Sequence, residues 1–175
     1  SQSQFLPSSV GVHHKKSSSV SDESFVIDFN NNDNCTTGCS SSFYAEVPWS
    51  NMSTYSVSMW VKSGEDNPTE WRAFFNTYTS PGNGFQMDSG GSTNYRLNAH
   101  AGVTSFGANS LKTTWVHLAV VAGSSQTKLY YNGSLVSTNN WVETDWNQIE
   151  IGRNRNMDRP GNYYLDEVRV WGAAL

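Results

Sequence analysis

At 175 residues the chain has the length of one domain, enough to bury a substantial core. A formal net charge of −4 with 15% charged residues leaves no electrostatic footprint for nucleic acid or an anionic membrane, and no run approaches the roughly 18 consecutive apolar residues of a membrane span. Its 7 Trp, 8 Tyr and 8 Phe, set among abundant Ser, Thr, Asn and Gly, suit an all-β extracellular module, since aromatic and β-branched side chains fit pleated surfaces and small polar ones fill turns.

Residues 1–22 read as a Ser-rich linker or N-terminal arm with His13, His14, Lys15 and Lys16 in its middle. A basic cluster this short is ordinarily a solvated tail. The start of the chain has no basic-then-apolar leader pattern, so an exported protein would already have lost its signal, or the sequence would begin inside a longer polypeptide. The domain itself is expected over residues 23–175. Ser24 to Phe29 is apolar and β-rich, and the Asn/Ser/Gly loop from Asn30 to Ser42 follows. That loop holds Cys35 and Cys39, spaced Cys-Thr-Thr-Gly-Cys. A disulfide across so short a loop is geometrically allowed with Gly38 inside it, and it implies an oxidising compartment; the alternative is a pair of free thiols at the surface. Phe43 to Val47 alternates and stops at Pro48. Tyr55 to Lys62 alternates with Val57, Met59 and Val61 on one face. Ala73 to Thr77 and Gly84 to Met87 flank a Ser-Pro-Gly-Asn turn, and Tyr95 to His100 is a further strand candidate. Trp115 to Ala122 is a nearly continuous apolar run, as expected of a central strand buried on both faces. Lys128 to Tyr131 meets Asn132-Gly133, a specific two-residue hairpin signal, and Leu135 and Val136 begin the return strand. Gln148 to Ile151 and Tyr164 to Trp171 complete the set. Short strands at regular spacing, with no helix of more than a turn or two, predict a sandwich or barrel.

Four segments, in order, resemble the laminin G-like jelly-roll modules of the concanavalin A-like superfamily: Tyr44-Ala-Glu-Val-Pro48, Tyr55 to Lys62, Trp115 to Val121 followed by Leu129-Tyr-Tyr-Asn-Gly133, and Ile151-Gly152 with Leu165 to Trp171 and the closing Ala174-Leu175. The resemblance spans residues 24–175. It implies a two-sheet antiparallel sandwich in which the first and last strands lie together. It also implies a structural Ca²⁺ near those strands, at the positions of Asp28 and Asp166. Calcium takes six to eight oxygen ligands, and the loop Asn30 to Asn34, with Asp33 as a further carboxylate, is rich in that donor type. The alternative is that Asp166 only accepts hydrogen bonds from loop amides or an arginine.

Glycan binding needs exposed rings against sugar faces and a few placed polar groups. Trp60 and Trp115 fall in motif strands and are expected in the core. Trp71, Tyr78, Tyr95, Trp141, Trp146 and Tyr163 fall in or beside loops and are the candidate ligand-binding aromatics, although any one of them can equally anchor a loop on the sandwich rim. Arg153 and Arg155, with Arg159 in the same loop, offer planar forks for carboxylate or sulfate and so suggest an acidic polysaccharide; pairing with Asp145 or Glu143 is the plainer reading. His100 and His117 lie on predicted strands, where hydrogen-bonded core positions are expected. Asn34, Asn51 and Asn132 head N-glycosylation acceptor patterns.

No catalytic pattern is present. Glycosidases of this superfamily carry carboxylates alternating on one strand, an acid and a nucleophile about 5 Å apart. Here the nearest acid pairs, Asp22-Glu23, Glu65-Asp66 and Asp166-Glu167, are sequence neighbours, which point to opposite faces of a strand. The lyase patterns of this fold are absent, as are a nucleophile elbow and a phosphate loop. The expected function is therefore a non-catalytic carbohydrate-binding module of a secreted or cell-surface, multidomain protein. An adhesion or protein-interaction module is the alternative, and a divergent glycosidase or lyase a third.

Overall fold

Apolar residues at every second position dictate strands. The computed structural model of the protein describes residues 12–14, 25–30, 45–48, 51–64, 73–78, 83–87, 95–99, 102–106, 114–142, 148–152 and 162–175, and no helix occurs among them. In chain order the strands are β1 (Val12–His14), β2 (Phe25–Asn30), β3 (Ala45–Pro48), β4 (Tyr55–Ser63), β5 (Ala73–Tyr78), β6 (Asn83–Met87), β7 (Tyr95–Ala99), β8 (Gly102–Phe106), β9 (Val116–Ala122), β10 (Thr127–Tyr131), β11 (Ser134–Asn139), β12 (Gln148–Ile151) and β13 (Asn162–Trp171). Their pairings are antiparallel and build two sheets. One has seven strands in the order β1-β2-β13-β4-β9-β10-β11; the other has six, β3-β12-β5-β6-β7-β8. This is the expected all-β, two-sheet antiparallel sandwich of jelly-roll type. β2 pairs with β13, so the first strand of the domain and the last do meet. β1 and β8 have no counterpart in the sequence expectations. β1 lies inside the segment read as an arm and adds an edge to β2. It is three residues long and set in a Ser-rich stretch, too short to show a period.

The core lies between the sheets. From β4 it takes Tyr55, Val57, Met59 and Val61, from β9 Val116, Leu118, Val120 and Ala122, from β10 Leu129, and from β13 Tyr163 and Leu165. Phe75, Ile149 and Ile151 come from the six-stranded sheet. Burying each large apolar side chain contributes about 1.5–3 kcal/mol. β9 is central, between β4 and β10, but it alternates buried and half-buried residues. Its apolar run therefore covers one core face and one semi-exposed face, not two buried ones.

Two local devices set register on the seven-stranded sheet. At the β10–β11 turn Asn132 and Gly133 take φ of 49° and 79°, the left-handed pair that a hairpin turn of the right twist requires. The turn is tied to β9: the Asn132 backbone N–H donates to the His117 carbonyl at 2.8 Å, and its side-chain Oδ1 accepts the His117 backbone N–H at 2.8 Å. A Cβ at Gly133 would meet nothing within 4 Å, so only backbone strain opposes a side chain there. Gly133→Ala is expected to cost about 1 kcal/mol of stability, read as a lower denaturation midpoint with an unchanged m-value.

The second device is a bulge in β13. Asp166 faces Trp60 and Arg169 faces Ser58, so β13 takes one residue more than β4 over this stretch. Glu167 sits at φ 49°, and its N–H is held by Asp166 Oδ1 at 2.8 Å. The bulge changes parity: Tyr163 and Leu165 face the core before it, Val168 and Val170 after it. Deleting Glu167 restores plain alternation without moving any other side chain to the wrong face. That variant is expected to melt within about 4 °C of the parent, the range a 1 kcal/mol change produces at this size. Deleting Ser58 from β4 inverts half of a central strand and is expected to abolish folding.

Candidate functional site

Parity on β4 decides which side chains reach solvent. Odd positions point into the core; Ser56, Ser58, Trp60 and Lys62 lie on the other face, where Ser56 and Ser58 are nonetheless buried, Ser56 by hydrogen bonds to Ala173 and Leu175, and only Trp60 and Lys62 reach solvent. The register carries that face across the sheet. His117 of β9 stands opposite Trp60, which stands opposite Asp166 of β13. In the next row Ala119 stands opposite Ser58 and Ser58 opposite Arg169. Trp60 is 37% exposed. Its ring lies 5.2 Å from the His117 ring, tilted by 59°. Trp60, Trp115, His117, Asn132 and Gly133 line an open cleft of ≈ 540 Å³. The Asn132-Gly133 turn builds one wall, and its two hydrogen bonds to His117 hold that wall against the strand.

This corrects the sequence expectation that Trp60 and Trp115 are core residues. Trp60 belongs to the even positions, opposite Val57, Met59 and Val61, and that parity was available in the sequence. Trp115 is half-buried and precedes β9. His117 is likewise a half-buried residue of the cleft, not a core one. Its pKa is lowered from the usual histidine value, chiefly by burial; Glu167 acts to raise it and Arg169 to lower it. Burial thus favours the neutral imidazole.

Charges flank the cleft and are engaged with neighbours. Lys62 Nζ lies 5.4 Å from the centroid of the Tyr164 ring, a cation–π arrangement. Arg169 Nη1 and Glu167 Oε2 are 3.3 Å apart, both about half exposed, a pair that adds little stability.

The predicted ligand aromatics fare differently. Tyr163 is 1% exposed; it shares the core face of β13 with Leu165, so its ring is not displayed to a ligand, and that expectation is corrected. Trp141 is half-buried against the core, and its carbonyl accepts the Thr127 hydroxyl at 2.6 Å, as a loop anchor does. Tyr78 and Tyr95 lie at the end of β5 and the start of β7, in the six-stranded sheet. Trp71, Trp146, Arg153, Arg155, Arg159, His100, Asp33, Cys35 and Cys39 lie outside the described residues.

For calcium, Asp28 occupies the position opposite Tyr164, two residues from Asp166 along the neighbouring strand. The register thus sets the two carboxylate residues diagonally on one face. Among the described residues no three metal-binding side chains come together.

One acid pair escaped the sequence reading. Glu46 of β3 stands opposite Glu150 of β12, and Glu150 opposite Asn76 of β5. Only strand pairing, not spacing within one strand, brings the two glutamates together. Glu150 is 1% exposed and Asn76 3%, so Glu150 is closed to a polymeric substrate.

The sequence model of the concanavalin A-like lectin/glucanases superfamily matches residues 18–175. Solved structures share the fold. A heptameric SAP-like pentraxin from Limulus polyphemus is 18% identical, with TM-score 0.60 over 86% of this chain and 76% of that one. Domain 4 of an extracellular GH43 arabinanase from Geobacillus stearothermophilus, solved with arabinotriose, is 18% identical, with TM-score 0.57 over 86% and 82%. Domains LG4–5 of the mouse laminin α1 chain are 13% identical, with TM-score 0.56 over 80% and 42%. No curated protein sequence matches the chain significantly.

Proposed function

Because the chain belongs to the concanavalin A-like lectin/glucanases superfamily, we propose that it is a non-catalytic glycan-binding module of a secreted or cell-surface protein. The observation that carries this reading is the open cleft around Trp60, Trp115 and His117. An indole held in the middle of a sheet face, with solvent above it, offers a flat apolar platform, and the turn beside it offers an amide: the mixture by which ligand sites hold a partly apolar, hydroxyl-rich molecule. The arabinotriose seen with the arabinanase domain, on the same fold, supports it. Glu150 is buried, so its pairing with Glu46 does not offer an acid and a nucleophile that both reach a glycosidic bond. A Ca²⁺ held by Asp28 and Asp166 belongs to the proposal; what supports it is that the register puts both residues on one face of paired strands, where two carboxylates could serve one cation.

A second reading, protein interaction, draws on Leu135 and Val136, 53% and 44% exposed on the edge strand β11, and on the laminin likeness. A glycan array run with calcium and with chelator, together with a reducing-end assay, separates these readings. Binding to sugars without release of reducing ends is expected. Silence on every glycan favours the protein-interaction reading, and turnover contradicts the module.

A further inference from the structure

We propose that the Trp60 cleft takes an uncharged saccharide, one sugar ring lying on the indole while Asn132 and His117 bond its hydroxyls. The inference rests on the glycan-binding reading above and adds the chemical class of ligand. The first support is shape. Trp60 is flanked on its own strand by Ser58, and Ser58 stands opposite Ala119. Ser58 and Ala119 put no large side chain of their own beside the indole on that side, and Trp60 itself keeps 37% of its surface exposed, so a ring can reach it. The cleft's ≈ 540 Å³ lies within the range of small-molecule sites and fits a short stretch of a chain rather than a globular surface.

The second support is charge. Among the described residues the cleft is lined by Trp60, Trp115, His117, Asn132 and Gly133, and none of these five is a carboxylate, lysine or arginine. The two described cations nearest the cleft are turned to other partners, Lys62 to the Tyr164 ring and Arg169 to Glu167; Lys128 shares the face but stands opposite Val121, two rows from His117. Asp166 spends Oδ1 on the Glu167 N–H. A carboxylate or sulfate entering the cleft would lose its water without gaining a charged donor, which is costly. A hydroxyl group gives up less and is matched by an amide and an imidazole, each able to donate or accept. Asn132 Oδ1 is committed to the His117 N–H, so the amide nitrogen is the donor it can offer. An acidic polysaccharide, suggested by the arginines of residues 153–159, is not what this cleft is built for.

The test is affinity electrophoresis and calorimetry of the whole chain against neutral polysaccharides (arabinan, xylan, β-glucan) and anionic ones (heparin, polygalacturonate, alginate), at low and high NaCl. Binding to at least one neutral polymer, insensitive to salt, is expected. Trp60→Ala should weaken it at least tenfold; nearly two-thirds of its surface is covered, so a lower melting temperature is expected as well, and binding is compared at a temperature where both proteins are folded. Asn132→Asp keeps the turn and the acceptor for the His117 N–H but removes the amide donor; it should weaken binding severalfold and covers the case in which Trp60→Ala misfolds. Wild-type affinity in both variants overturns the inference. So does binding confined to anionic polymers with a steep salt dependence, and either result leaves the glycan-binding module standing. A wild-type protein that binds none of the six polymers overturns the inference and counts against the module as well.

Discussion

Leu118→Ala is expected to lower the melting temperature by roughly 6–12 °C, from a loss of about 3 kcal/mol. Leu118 is fully buried (0% exposed) on a strand flanked on both sides, opposite Met59 on β4 and Tyr131 on β10. Met59 is also 0% exposed, and a cavity at the centre of two paired strands cannot close by moving one of them. The transfer and cavity contributions therefore add. Truncations at the margin cost less: Val136, 44% exposed on β11, is expected to change stability by under about 0.5 kcal/mol when replaced by Ala. Denaturant titration of the two variants checks the contrast. Equal losses would mean that the described core is not the one that holds the sheets together.

Withdrawal of calcium is the other large effect expected. If Asp28 and Asp166 share a Ca²⁺ at free concentrations about 100 times its dissociation constant, binding stabilises the fold by about 2.7 kcal/mol. For a domain of this size that is roughly 5–11 °C of melting temperature. Adding chelator should lower the midpoint by that amount, and restoring calcium should return it. Magnesium should substitute poorly, because it prefers a smaller, more rigid octahedral site. Asp166→Asn discriminates further. The amide keeps an oxygen for the Glu167 N–H that steadies the bulge but halves the site's carboxylate charge. It should melt near the chelated wild type and respond weakly to calcium. A wild-type midpoint indifferent to chelator contradicts the proposed metal.

Sequence patterning revealed most strands because their causes are local. Alternation at Tyr55 to Lys62, the Asn132-Gly133 turn and the closing Leu165 to Trp171 segment each announce themselves over fewer than a dozen residues. β8 and β1 did not, since their short stretches acquire meaning only by pairing with β7 and β2. The bulge at Glu167 was hidden as well. It depends on β4 as the reference against which β13 gains a residue, yet it decides that Val168 rather than Glu167 faces the core. The site was legible in part. Trp60 was visible as an aromatic on the face opposite Val57, Met59 and Val61, but a motif strand invited the core assignment. Tyr163 erred the other way: placed beside a loop in the sequence, it lies one step before the outward Tyr164 and two before the buried Leu165, and it packs inward with Leu165. The meeting of Glu46 with Glu150 was illegible, because about a hundred residues separate two positions that only sheet order joins.

The most direct measurement is a ¹H–¹⁵N titration of the protein with a short neutral oligosaccharide. Saturable shifts should gather at the indole N–H groups of Trp60 and Trp115 and at the backbone amides of His117, Asn132 and Gly133, and leave the β11 edge at Leu135 and Val136 unmoved. Shifts that gather elsewhere on the sandwich while those five stay in place would contradict the outer face of the seven-stranded sheet as the binding surface.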